Sequence, residues 1–165
     1  MIRIRGSAFL GWVVALVLAA GCGPSISDTG HLGLWRRASG AAKSEVAFWR
    51  GPDGAYRFRA NRWSQDGTHA LRCGLEGPCL EYSGAEPFYE YHYRVFERSG
   101  EDGLFVECDG RPRGAGNATT LHQIEQFTLD ADRRSLEVRL VEQNHVPRDA
   151  TIVRARFDKV SDDPN

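Results

Sequence analysis

The chain has 165 residues, with 21 basic and 22 acidic side chains and a formal net charge of −1. That near-balance supplies no basic field for nucleic acid, and the length suits one domain with a real core rather than two. Arginine outnumbers lysine 19 to 2, but arginines such as Arg57, Arg59, Arg154 and Arg156 recur at alternate positions and read as solvated strand faces.

The chain opens with Arg3 and Arg5, an uncharged apolar run from Ala8 to Ala20, then Gly21 and Cys22. The run is about 13 residues long, short of the roughly 20 a membrane-spanning helix needs. A positive start, an apolar middle and small residues are the order of a secretory signal peptide. Leu18-Ala19-Ala20-Gly21-Cys22 resembles the lipobox of bacterial lipoproteins, with Leu18 one place further from the cysteine than the family's usual leucine. The resemblance implies cleavage after residue 21, acylation of Cys22, and a membrane partner reached through the lipid. One acyl chain binds membranes reversibly, and two or more hold stably. Gly23 stands where an aspartate would signal inner-membrane retention, so the family pattern implies an outer-membrane anchor, with the domain in the periplasm or at the cell surface. The expected organisation is signal peptide 1–21, tether 22–30, folded domain 31–160 and disordered tail 161–165. Losing the signal removes two arginines and leaves 19 basic against 22 acidic side chains.

From Gly33 onward the dominant signal is period two. Tyr56, Phe58 and Ala60 alternate with Arg57, Arg59 and Asn61. Tyr89, Tyr91, Tyr93 and Val95 alternate with Glu90, His92 and Arg94. Leu104, Val106 and Cys108 are followed, after a Gly/Pro-containing loop expected over Arg111–Asn117, by the alternating runs at Leu136–Leu140 and Val153–Phe157. This is the pattern of half-buried antiparallel strands. Gly51-Pro52-Asp53-Gly54, Gln65-Asp66-Gly67, Ser99–Gly103 and Asp130-Ala131-Asp132 supply hairpin turns between them. The expectation is an all-β, antiparallel up-and-down barrel of about 8–10 short strands, because closure removes exposed edges. A sandwich is the alternative.

Gly33-Leu34-Trp35 ahead of the first strand run resembles the opening of lipocalin-like (calycin-type) barrels. The stretch Thr128–Val138 is similar to the closing strand, Asp-turn, strand of small uncharacterised bacterial secreted barrels. The resemblance spans roughly residues 31–160. It implies that Trp35 plugs the narrow end of the barrel and that Arg154 or Arg156 from the last strand packs over it.

Chemistry-bearing motifs are sparse. Cys73 and Cys79 flank a Gly/Pro loop and are expected to form a disulfide, with Cys108 pairing with either as the alternative. No two of His31, His69, His92, His122 and His145 lie close enough in sequence for a local metal pair. His122 and Glu125 are three positions apart, which puts them on opposite faces of a strand. No catalytic residue, cofactor or metal site is expected. Tyr56, Phe58, Tyr89, Tyr91 and Tyr93 either fill the core or line a cavity for a small apolar or amphipathic ligand. Trp49 and Trp63 are candidates for a pocket rim or a partner surface. The expected function is non-enzymatic: a lipid-anchored envelope protein that binds a small ligand, or else a solid barrel that contacts an envelope protein or glycan. Replacing Cys22 with serine should move the protein from the membrane fraction to the soluble fraction. Fractionation, together with intact mass showing acyl groups on the wild type alone, checks this.

Overall fold

A computed structural model describes residues 30–40, 43–66, 68–74, 77–114 and 119–165. Cys22 and most of the tether lie outside them. Eleven strands follow one another in the chain: β1 (Gly33–Arg37), β2 (Lys43–Arg50), β3 (Tyr56–Trp63), β4 (His69–Arg72), β5 (Cys79–Ser83), β6 (Glu86–Phe96), β7 (Leu104–Pro112), β8 (Leu121–Leu129), β9 (Ser135–Gln143), β10 (Val146–Pro147) and β11 (Val153–Ser161). Each strand from β1 to β9 pairs antiparallel with the next, β9 pairs with β11, and β11 returns to β1. Ten strands therefore close an up-and-down barrel, and β10 is a short extra strand folded back on the end of β9. Asn144 and His145 join β9 to β10, and both have positive φ, 49° and 62°. That is the backbone of the two-residue type I′ hairpin, whose twist matches the flanking strands.

The barrel has two different halves. Trp35, Val46, Phe48, Tyr56, Leu104, Val106, Phe127, Leu136, Val138 and Phe157 form one buried cluster. The rings of Phe48, Phe58 and Phe127 meet at centroid distances of 5.0–5.7 Å in tilted and edge-on contacts, the preferred geometry for aromatic quadrupoles. Trp35 is fully buried at this closed end, and its indole N–H donates to the His31 carbonyl at 2.9 Å. His31 is itself buried, and its Nε2 lies 3.2 Å from the Phe127 carbonyl.

The cation over the Trp35 ring is Lys159, 5.1 Å from the centroid, and not Arg154 or Arg156. Strand alternation explains the correction. Phe157 and Lys159 share the inward face of β11, and Lys159 stands opposite Trp35 in the ladder. Arg156 points outward and pairs with Glu137 at 2.8 Å. Arg154 falls at a register shift between Val153 and Ala155 and lies at the other end of the barrel.

Two further expectations change. Arg111 and Pro112 continue β7 rather than opening a loop. The tail is ordered: Ser161 ends β11, the Asp163 N–H donates to Ser161 Oγ at 2.9 Å, and Arg59 donates to the Pro164 carbonyl. Arg59 is thus half-buried under the tail instead of solvated, and its ladder partner Ala47 is wholly buried.

The glycine of Gly33-Leu34-Trp35 has a steric role. Its φ is +116°, and a Cβ there would lie 2.1 Å from the Ser161 carbonyl oxygen. A Gly33→Ala variant should lose about 1–3 kcal/mol to backbone strain alone, with the clash adding to it. Urea unfolding followed by tryptophan fluorescence measures the loss as a lower midpoint at unchanged slope.

Candidate functional site

The half of the barrel remote from Trp35 is hollow. A cavity of about 270 Å³ opens there, room for about nine waters at roughly 30 Å³ each. Val46, Phe58, Phe127, Val138 and Phe157 supply its apolar wall, and Arg37, Arg62, Arg154, Glu125, Tyr91 and Tyr93 its polar groups. The three arginines come from β1, β3 and β11 and are solvent-exposed, so they form a rim, while Glu125 of β8 sits deeper.

Arg62 donates to Glu81 at 3.3 Å, and the Tyr91 hydroxyl donates to the other oxygen of the same carboxylate at 2.6 Å. That pairing neutralises one rim arginine. Burial pushes the Glu125 carboxyl above its ordinary range, and the fields of Arg154 and Arg62 only partly oppose this. Cys108 faces the same cavity, and burial raises its thiol to about 12. It is a free, buried cysteine and stays protonated at neutral pH, an inert wall group.

Of the five aromatic residues singled out in the sequence, Phe58, Tyr91 and Tyr93 line this cavity. Tyr56 belongs to the buried cluster at the closed half, with the Arg50 guanidinium 3.5 Å above its ring. Tyr89 meets Tyr91 in a tilted ring contact at 5.0 Å and bonds to Thr120 beyond the cavity. Gly110 makes room for both rings, since a Cβ there would come within 2.8 Å of Tyr89 and 2.9 Å of Tyr91.

A second depression, of about 470 Å³, cuts the barrel wall from outside and is lined by Trp49, Tyr56, Phe58, Cys79, Tyr93 and Val95, among others. The wall is thin there because β4 and β5 have only four and five residues. The sulfurs of Cys73 and Cys79 lie at disulfide distance beside it, with Cα atoms 4.2 Å apart. Phe58 and Tyr93 meet edge-on at 5.0 Å and line both spaces, so one ring pair separates the side groove from the interior cavity. Trp63 is half-buried and lines neither of them.

His122 and Glu125 occupy opposite faces of β8: Glu125 lines the cavity, and His122 is on the outer wall, 2.8 Å from Asp109. His92 is exposed on the outside of β6 beside Glu90. The arginine rim was missed in the sequence because Arg37, Arg62 and Arg154 lie on three strands and share no local spacing. In comparisons with known proteins, no family model, no curated protein and no solved structure matches this chain.

Glu125 gives a pH test with a definite sign. Its folded pKa is raised above the ordinary 4.5, so the neutral form is favoured by folding and stability falls as pH rises through the folded value. Glu125→Gln should therefore gain stability over the wild type progressively above pH 4.5, and the gap should vanish at lower pH. Paired urea melts across that range measure it; a gap independent of pH would contradict it.

Proposed function

We propose that this is a non-enzymatic, lipid-anchored envelope protein whose barrel binds a small amphipathic ligand carrying an acidic head group. The observation that carries the reading is the two-part cavity, an apolar floor of Val46, Phe58, Phe127 and Phe157 beneath a rim bearing Arg37, Arg62 and Arg154. Apolar surface drives a hydrocarbon part inward, and a few placed charges fix its orientation. Arg62 is shared with Glu81, which leaves Arg37 and Arg154 as the better-placed partners for an incoming anion. Guanidinium matches a carboxylate or phosphate fork. The cavity volume of about 270 Å³ restricts the ligand to a short chain or a single ring system.

The anchor completes the proposal. Cys22 carries the lipid, and the chain enters the barrel at Gly30, beside Leu129 and Arg133 at the closed end. Gly30 lies eight positions after Cys22, a tether of at most about 28 Å. It holds the Trp35 end towards the membrane and leaves the arginine-rimmed mouth facing the aqueous side.

Calorimetry with octanoate, octanol and octylamine tests the cavity reading. Octanoate should bind tightest and octylamine weakest, and Arg154→Leu should weaken octanoate at least about tenfold while leaving octanol unchanged. Equal binding of all three, or none of octanoate, overturns it. Native mass spectrometry of the protein from its own membranes then identifies the resident ligand.

A further inference from the structure

The outer wall beside the cavity mouth carries a second constellation. His122 of β8 lies between two carboxylates: its Nδ1 is 2.8 Å from Asp109 Oδ1, and its Nε2 is 3.2 Å from Glu142 Oε1. His145, on the β9–β10 turn, places its Nδ1 3.7 Å from the same Glu142 oxygen, and its ring stacks on His122 at 4.3 Å. One ligand atom each from His122, Glu142 and His145 fall within 4.8 Å of one another. A neutral imidazole has only one N–H. With Asp109 accepting it at Nδ1, the contact between Nε2 and Glu142 is lone pair against carboxylate unless a proton or a metal cation lies between them.

We propose that His122, His145 and Glu142 bind a divalent transition-metal ion, zinc above all, with Asp109 orienting His122 from behind. Two imidazoles and a carboxylate suit zinc, copper or nickel rather than magnesium or calcium. Bonds of about 2.0–2.1 Å in a tetrahedron put neighbouring ligand atoms about 3.3 Å apart, and the 3.2 and 3.7 Å separations bracket that value. A carboxylate on the far nitrogen of a ligating histidine fixes its tautomer and raises its basicity, which is the position of Asp109. His122 is held by that bond and by burial. His145 is 79% exposed, so its ring is free to turn out of the stack and bring Nδ1 onto the ion. A depression of about 450 Å³, lined by Asp109, Thr119, Thr120, His122, Asn144 and His145 among others, leaves the fourth position open to water or to a donor atom of another molecule.

The site is separate from the cavity: Glu142, His122 and Asp109 face outward, while Glu125, Leu121 and Cys108 of the same region face in. The proposal does not depend on the ligand reading above.

The test is zinc titration of the full chain, free of affinity histidines, by calorimetry against a competing chelator, with cobalt absorption reporting the ligand field. One equivalent should bind. His145→Gly keeps the turn, since Asn-Gly is the preferred type I′ pair, and should weaken zinc at least tenfold and abolish the cobalt band. Glu142→Gln should do the same. Asp109→Asn should weaken zinc about 10–100-fold and keep a weaker cobalt band. Circular dichroism verifies that each variant is folded. Zinc affinity unchanged in both His145→Gly and Glu142→Gln overturns the proposal. So does loss confined to Asp109→Asn, which would put the ion on the Nδ1 side with Glu107 and Asp109.

Discussion

Everything in this molecule hangs on the closure of one sheet. The pairing of β1 with β11 and of β8 with β9 turns a simple meander into a ring, so neither a free edge nor a second layer is needed to cover the inner face. A closed ring of ten strands has a fixed interior, and the sequence divides it unequally. Large rings and branched chains fill the half around Trp35. Towards the other end the inward positions pass to Ser44, Gln123, Glu125 and the arginines. Such side chains cannot be packed dry without cost, and that half stays open. The plug and the cavity are two consequences of one closure.

Much of this was legible from period two. The alternation at Tyr56–Ala60, Leu104–Cys108 and Leu136–Leu140 places the inward faces of β3, β7 and β9, and the Asp130 turn closes as its residues suggest, with Asp130 Oδ1 accepting from the Arg134 and Ser135 amides at 2.9 and 3.1 Å. Gly33 and Trp35 also show why a two-residue signature sits there: the glycine lets the chain pass against Ser161, and the tryptophan fills the end it has just entered. What the resemblance misassigns is the cation over Trp35, which is Lys159. Period two carried on to Lys159 is sufficient, but a search fixed on arginine passes it by.

The misreadings concentrate where the period breaks. A bulge places one more residue on one strand than on its partner and re-aims the side chains beyond it. In β11 the shift between Val153 and Ala155 brings Arg154, nominally a surface residue, to the cavity mouth. In the β8–β9 ladder, Glu125 stands opposite Leu140 but Ile124 stands opposite Glu142. Strict alternation from Leu136, Val138 and Leu140 would carry Glu142 into the barrel. The shift turns it outward, beside His122. No reading of the sequence by spacing could have joined His122 to Glu142 and His145, 20 and 23 residues away, because the juxtaposition is made by register.

The two bulges also separate chemistries that would interfere if they shared a space. A carboxylate at position 142 pointing inward would follow Leu140 into the lumen and add a second acid to the side that holds Glu125. Turned out, it leaves Glu125 as the one acid lining the cavity among the described residues, and burial favours its neutral form, which can donate a hydrogen bond. The outer wall gains in turn a carboxylate that, among the described residues, meets His122 and His145. The wall between Asp109 and Cys108 on β7, and between His122 and Glu125 on β8, is one strand thick. It turns Cys108 and Glu125 to the barrel lumen and Asp109 and His122 to the outside, and the register shift at Ile124–Glu125 adds Glu142 to the outer face.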